Sequence, residues 1–324
     1  MDFVSQIRQA VKQSDPKTIL LPEGEDPRIL EAAIALKQEN FIIPVILGTG
    51  QIIKATAEKH NFNLENIQII DPKEQNNTDF ENQYYELRKH KGVSPEDAHE
   101  IIRDPLFYAA MMIRNNQADG ALAGAVNTTG NVLRAAIQVI GLAENITAVS
   151  SCFFMVLKDG TVLTYGDCAV IPDPNVEQLA SIALSTAETH LKVVHQTPNV
   201  AMLSFSTKGS AKHDNVSKVV DATELVRKTR PGLNVDGELQ FDAAYNPEIA
   251  KSKALGSPVA GKANVFIFPD LDAGNIGYKI TQRLGNAQAI GPIIQGLAKP
   301  YNDLSRGCSV EDVINTACIL GLMA

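Results

Sequence analysis

The stretch TILLPEGEDPRILEAAIALKQENFIIPVIL (18–47) holds two apolar β runs around one amphipathic helix. TILLP (18–22) and FIIPVIL (41–47) are almost continuously apolar, whereas PRILEAAIALKQ (27–38) repeats its apolar residues at helical spacing. Strands that are apolar throughout are buried on both faces, as in a parallel sheet covered by helices on either side. The same alternation continues outward. Residues 1–18 begin with a short amphipathic helix; 52–60 predict a helix, 67–70 (IQII) a strand, then a polar helical stretch. A helix over 104–116, a small-residue strand ADGALAG (118–124) and a helix over 130–140 complete the first half.

The middle breaks the rhythm. ITAVSSCFFMVL (146–157) and 161–166 flank Lys158-Asp159-Gly160, and a D-G turn between apolar runs predicts a β-hairpin. An antiparallel pair inside a βα chain marks a second domain or a sheet edge. Alternation then resumes with helices at 175–191, 214–228, 247–255 and 272–284 and strands at 199–205, 233–238 and 263–268, and the tail 309–322 is one more amphipathic helix. The expected fold class is α/β, and 324 residues exceed what one core usually supports, so two domains are expected.

Composition narrows the function. Apolar residues are 44% and charged residues 20%, an ordinary globular mix, with no apolar run long enough to span a membrane. The formal charge of −8 and pI of about 5.3 argue against a nucleic-acid surface. The start lacks the basic-then-apolar layout of a secretory signal, so a cytoplasmic protein is expected. Cys152, Cys168, Cys308 and Cys318 are scattered without metal or disulfide spacing and are expected to be free thiols.

Three motifs mislead. GSPVAGK (256–262) fits a phosphate loop, but Ala263 replaces the required hydroxyl and the segment runs helix to strand. After Gly48-Thr49-Gly50, Ile53 stands where a dinucleotide fingerprint needs its third glycine, so no bound NAD is expected. Asp270 and Asp272 have no third ligand beside them and fit caps better than a metal; no metal is expected. No G-x-S-x-G elbow is present.

Three loops could carry chemistry. Asn127-Thr128-Thr129-Gly130 joins the small-residue strand to a helix bearing Arg134. Helix-start amides, hydroxyls and a guanidinium suit an oxyanion or phosphate, though a plain Thr cap beside a solvated Arg fits equally. Ser206-Thr207-Lys208 follows another apolar strand and suits a second anion site, or is merely a polar loop. Ser305-Arg306 precede the capping box Ser309-x-x-Asp312, so Asp312 serves either as a cap or as a proton acceptor.

VDGELQFDAA (235–244), SPVAGKANVFIFPDLDAGNIGYK (257–279), LSRGCSVEDV (304–313) and GAVNTTGNVLRAA (124–136) resemble the phosphate acetyltransferase (phosphotransacetylase) family, as do PEGEDPRILEAA (22–33) and YELRKHKG (85–92). The likeness runs in order along the whole chain, without the long N-terminal regulatory extension of some members. It implies two three-layer α/β domains of the isocitrate/isopropylmalate dehydrogenase-like kind with an active-site cleft between them. On that basis domain I comprises 1–144 plus 297–324, and domain II is the insertion 145–296. The resemblance also implies a homodimer and the reaction acetyl-CoA + phosphate ⇌ CoA + acetyl phosphate, with CoA as substrate and no permanently bound cofactor. It implies catalytic roles for Ser305, Arg306 and Asp312, and active-site roles for Arg88 and Arg134. Phosphate butyryltransferases share several motifs. A non-catalytic CoA- or phosphate-sensing domain is the other alternative, and intact Ser305, Arg306 and Asp312 argue against it.

The expected chemistry sets a condition on Asp312. A thiol near pKa ~8.5 facing a carboxylate near ~3.9 leaves a gap worth roughly 6 kcal/mol. Asp312 can serve as base only if burial raises its pKa or if proton transfer accompanies attack on the acetyl carbonyl. Arg306, Arg134 and Arg88 would hold the phosphate, and an acidic chain that binds polyanions must gather such arginines locally.

Overall fold

The computed structural model describes residues 2–324; residue 1, the first of the stretch read as an N-terminal helix, lies outside the described residues. That helix is α1 (Phe3–Gln13), which buries Phe3, Ile7 and Val11 at four-residue spacing. β1 (Lys17–Leu21), α2 (Pro27–Glu39), β2 (Ile42–Leu47), α3 (Gly50–His60) and β3 (Gln68–Ile70) follow. The polar stretch forms α4 (Thr78–Arg88) and α5 (Pro95–Ile102) around a short 3-10 turn. Then come α6 (Pro105–Arg114), β4 (Gly120–Ala123) and α7 (Thr129–Val139).

The hairpin is β5 (Ser150–Val156) and β6 (Val162–Gly166), antiparallel, closed by the Leu157 N–H on Thr161 O (2.8 Å) with Gly160 at φ +86°. Only a residue tolerant of the left-handed region sits there without strain. α8 (Val176–Val194), β7 (Asn199–Leu203), α9 (Asp214–Thr229), β8 (Asn234–Leu239), α10 (Phe241–Tyr245), α11 (Pro247–Lys253), β9 (Val265–Ile267) and α12 (Leu271–Arg283) continue the chain. β10 (Gln288–Gln295), β11 (Tyr301–Asp303) and α13 (Val310–Met323) finish it.

Two compact units result: residues Phe3–Gly141 with Leu297–Ala324, and Leu142–Gly296. The sheet of the first has the order β11-β4-β1-β2-β3, and every pair is parallel. The sheet of the second has the order β10-β5-β6-β9-β7-β8, antiparallel at β10-β5-β6 and parallel beyond. β10 and the three-residue β11 carry no sequence pattern. Gly291-Pro292 interrupts β10 and shifts its register against β5 between Ile290 and Ile293, since proline cannot donate to the ladder.

Topology positions the candidate site. β1, β2 and β3 run outward on one side of the first sheet, and β4 and β11 on the other. The order therefore reverses between β1 and β4, and ligands of open parallel sheets bind beyond the carboxyl ends of the strands at such a point. Behind that edge Leu20, Tyr84, Phe107, Met111 and Tyr301 form one apolar core. Tyr301 is fully buried and donates its hydroxyl to Leu106 O at 3.0 Å, which anchors the return of the chain from the insertion.

Candidate active site

The loop after β4 is built around a buried acid. Glu23, 3% exposed, follows β1 and accepts the backbone N–H groups of Gly124 (3.0 Å), Ala125 (2.8 Å), Val126 (3.1 Å) and Asn127 (2.7 Å). It also accepts Asn127 Nδ2 at 2.9 Å. Five donors on one carboxylate satisfy the charge and fix the loop against β1. Gly124 sits at φ +111° with no room for a side chain: a Cβ would come within 2.6 Å of Leu304 N. Thr128 then caps α7, accepting Asn131 N at 3.2 Å, and Thr129 donates its hydroxyl to Asp303 Oδ2 at 2.6 Å.

Arg28 ties this loop to the segment after β11. Its Nε and Nη2 clamp Asp26 at 3.0 and 2.8 Å, while Nη1 donates to Arg306 O (2.8 Å) and Cys308 O (2.9 Å) and Nη2 to Ala125 O (3.0 Å). Burial pushes the Asp26 carboxyl up, but the bonds and charge of Arg28 outweigh it and hold the group below the usual range. Glu23 and Arg28 both lie within the quoted PEGEDPR, and the sequence reading gave neither a role. The available signal was an acid at the carboxyl end of an apolar strand, where a solvated side chain has no structural use.

Arg88 ends α4 and Arg134 lies on α7, and both act on the Tyr84 hydroxyl, which donates to Gln138 Oε1 at 2.7 Å. Burial raises the Tyr84 pKa and the two guanidiniums oppose it. Arg88 Nε is buried without a partner, and Arg134 bonds Asn131 Oδ1 at 3.0 Å. The Arg306 side chain is exposed, and none of these three arginines pairs with a carboxylate among the described residues. Beside Asn127, at the same sheet edge, opens a polar depression of about 220 Å³ lined by Pro22, Glu25, Thr49, Asp71 and Arg103.

Ser305 is exposed, its Oγ accepting Gly307 N at 3.3 Å. Asp312 forms the capping box with Ser309: its Oδ2 accepts Ser309 N (2.9 Å) and Oγ (2.8 Å). It is also solvent-exposed, so burial, one of the two routes open to it as a base, is absent here. Cys308 is a poor nucleophile. It is buried, burial pushes its thiol up against the influence of Arg28, and only the thiolate reacts.

In the second unit the expected anion loop is committed internally. Ser206, fully buried, donates to Glu238 Oε1 at 2.8 Å, and Thr207 Oγ1 accepts Gln240 N at 2.9 Å. Lys208 Nζ pairs with the buried Asp236 at 2.5 Å, which also takes Arg227 at 2.6 Å and the Ser257 hydroxyl. Burial opposes the ionised form of Asp236, and Lys208 with Ser257 more than restores it. This geometry favours the polar-loop alternative for Ser206, Thr207 and Lys208, because Ser206 and Lys208 already serve two buried carboxylates and Thr207 bonds Gln240. Among the described residues no group of three or more His, Cys, Asp or Glu is placed to hold a metal ion, and no helix is long and apolar enough to cross a membrane.

A parallel α/β unit that carries arginines without carboxylate partners among the described residues, with hydroxyls and helix-start amides at its switch point, has the chemistry of an enzyme that handles phosphorylated, anionic substrates. Residues 2–320 match the family described as phosphate acetyl/butaryl transferase, and the chain belongs to that family. It is 48% identical over 331 residues to the phosphate acetyltransferase of Acetivibrio thermocellus, covering 100% of this chain and 98% of that one. Its fold superposes with TM-score 0.93 on the EutD phosphotransacetylase of Staphylococcus aureus, at 40% identity and 99% coverage of both chains. A phosphotransacetylase from Streptococcus pyogenes gives TM-score 0.93 at 42% identity and 98% coverage of both.

Proposed function

We propose that the chain is an acyltransferase catalysing acetyl-CoA + phosphate ⇌ CoA + acetyl phosphate by direct transfer between two bound substrates. The observation that carries this is the set of arginines without carboxylate partners, Arg88, Arg134 and Arg306, in the unit whose switch point also presents Thr128 and Thr129. Relatives 45–48% identical to this chain carry the name phosphate acetyltransferase.

Arg134 and Arg306 hold the phosphoryl oxygens and stabilise the leaving phosphate, with Arg88 beside Arg134 adding positive potential. Ser305 donates to the oxyanion of the acetyl carbonyl. Asp312 takes the CoA thiol proton through its uncommitted Oδ1, in step with attack, so that no free thiolate forms against the gap of roughly 6 kcal/mol. CoA and acetyl-CoA are substrates, and no resident cofactor is needed.

We place the enzyme in the cytoplasm, a reducing compartment, because all four cysteines are free. A homodimer is supported by Ile276, Ile280 and Leu284, four residues apart along one face of α12 and its end and 56%, 53% and 78% exposed. The deciding assay is acetyl-CoA formation from acetyl phosphate and CoA, repeated with butyryl phosphate. Faster turnover of acetyl phosphate is expected. No turnover of either substrate, or an acetyl group trapped on Cys308, would overturn the scheme.

A further inference from the structure

Asp303 ends β11 at 5% exposure, and the scheme above gives it no task. Its Oδ2 accepts the Thr129 hydroxyl, while Oδ1 is buried with no partner and packs against Gly124, where any Cβ would strike it. A carboxylate with one bare buried oxygen is a costly arrangement, because its lost hydration is not replaced. Burial accordingly raises the Asp303 pKa to about 6, the Thr129 bond opposing the shift and the charge of Glu23 adding to it. Of the elements packed against β11, β4 has no ionisable side chain, α7 has Arg134, and α13 has Glu311, Asp312 and Cys318. Tyr301 shares the strand, and Arg306 and Cys308 follow it.

Thr129 has a single hydroxyl hydrogen. While Asp303 is ionised, that hydrogen must point at Oδ2, and Thr129 shows only lone pairs to its other side. With a proton on Oδ2, Asp303 becomes the donor, Thr129 Oγ1 accepts, and the Thr129 hydrogen is free to turn outward.

We propose that Asp303 is a positioning residue that sets the polarity of the Thr129 hydroxyl. Neutral Asp303 makes Thr129 a donor to a phosphoryl oxygen at the start of α7, and ionised Asp303 makes it an acceptor that repels one. The proton comes from solvent and returns there; only O–H bonds change. An arriving phosphate dianion also disfavours the neighbouring carboxylate, so binding draws the proton in. The inference rests on the phosphate reading of the α7 loop.

The test follows the KM of acetyl phosphate from pH 5.5 to 8.5 in the wild type, Asp303→Asn, Thr129→Val and Thr129→Ser. Ratios to wild type cancel the substrate's own titration. Wild-type KM should rise about tenfold more steeply than that of Asp303→Asn, the weight of one hydrogen bond to a charged group. Asp303→Asn, whose amide N–H donates at every pH, should keep the low-pH KM throughout. Thr129→Val should keep the high-pH KM throughout, and Thr129→Ser should restore the step. The effect should sit in KM, with kcat little changed in its pH dependence. Calorimetric titration of inorganic phosphate in buffers of different ionisation enthalpy should show proton uptake near pH 7 that both Asp303→Asn and Thr129→Val lose. Should Asp303→Asn fail to fold, Thr129→Val decides by the same profile. A wild-type pH step retained in Thr129→Val, or in folded Asp303→Asn, overturns the inference. If the wild type turns over no acetyl phosphate, the transferase reading fails, and the phosphate titration still decides the switch.

Discussion

Two loops leave the carboxyl ends of apolar strands and run into helices, one in each unit, and their compositions are alike. The loop after β4 carries Thr128 and Thr129, with Arg134 on its helix; the loop after β7 carries Ser206, Thr207 and Lys208. Each folds around a buried glutamate. Glu23 accepts four backbone N–H groups in the first, and Glu238 accepts Ser206 Oγ and Gly209 N in the second. The cations separate them. Lys208 and Arg227 both close on Asp236, so that charge is spent inside the fold. Arg88, Arg134 and Arg306 meet no carboxylate among the described residues, which is why the proposed scheme gives them the ligand's negative charge. A hydroxyl-rich loop becomes an anion site only when uncompensated cations stand beside it.

The largest expected effect sets the two loops against each other. Arg134→Ala and Arg306→Ala should each lower kcat/KM for acetyl phosphate by about 10²–10³, the weight of one lost transition-state donor. Lys208→Ala should change it by less than about threefold, while lowering the melting temperature because Asp236 loses one of its cations. Equal losses in Lys208→Ala and Arg134→Ala would break the comparison. Next, Asp312→Asn should cut turnover by about 10² or more, as loss of a general base does. Its melting temperature should fall by less than about 2 °C, since the amide oxygen still accepts from Ser309 N. A large thermal loss with activity preserved would make Asp312 only a cap.

The units should also answer pH in opposite senses. His190 in the second is fully buried, and burial lowers its pKa to about 4. Its neutral form is the folded one, so it contributes stability above the unfolded value near 6.5 that is lost as pH falls toward 4, up to about 3 kcal/mol. Asp303 in the first is raised to about 6, so its contribution is present below the unfolded value near 3.8 and is lost as pH rises through 6. Urea midpoints from pH 4 to 7 should show His190→Gln removing a rise with pH and Asp303→Asn removing a fall with pH over the same acid range; if neither variant changes the profile, this contrast is gone. The smallest effect is expected on α12. Leu284→Lys should weaken self-association about tenfold in sedimentation velocity, and an unchanged mass distribution would remove that apolar face from the dimer proposal.

Much of the architecture was legible because the sequence repeats the same physical pattern. Apolar runs without alternation mark buried parallel strands, and the helical spacing of apolar residues over 27–38 and the helix expected over 104–116 correspond to α2 and α6, whereas the caps at Asp26, Ser94 and Asp104 emerge only in the structure. β10 was hidden because Gly291-Pro292 reads as a break, and β11 because Tyr-Asn-Asp has too few residues and too little apolar character to read as a strand. At the site, Thr128–Arg134 and Ser305–Asp312 stood out as local motifs. Glu23, Arg28 and Asp303 did not, because apart from the local Arg28–Asp26 pair their partners are about a hundred residues away or more, and an acid in a loop looks solvated until its donors are known.

By itself, then, the sequence determined the α/β class, the hairpin that interrupts it, the capping box at Ser309 and the motifs that resemble an acyl–phosphate transfer family. These follow from contacts between residues near in the chain, whose spacing is printed in the order of the letters. Only the tertiary structure decided which charges cancel. Lys208 was spent on Asp236, Arg28 on Asp26 and three carbonyls, and Asp303 was left with one bare oxygen, because charge balance in a fold depends on distances that chain order does not record.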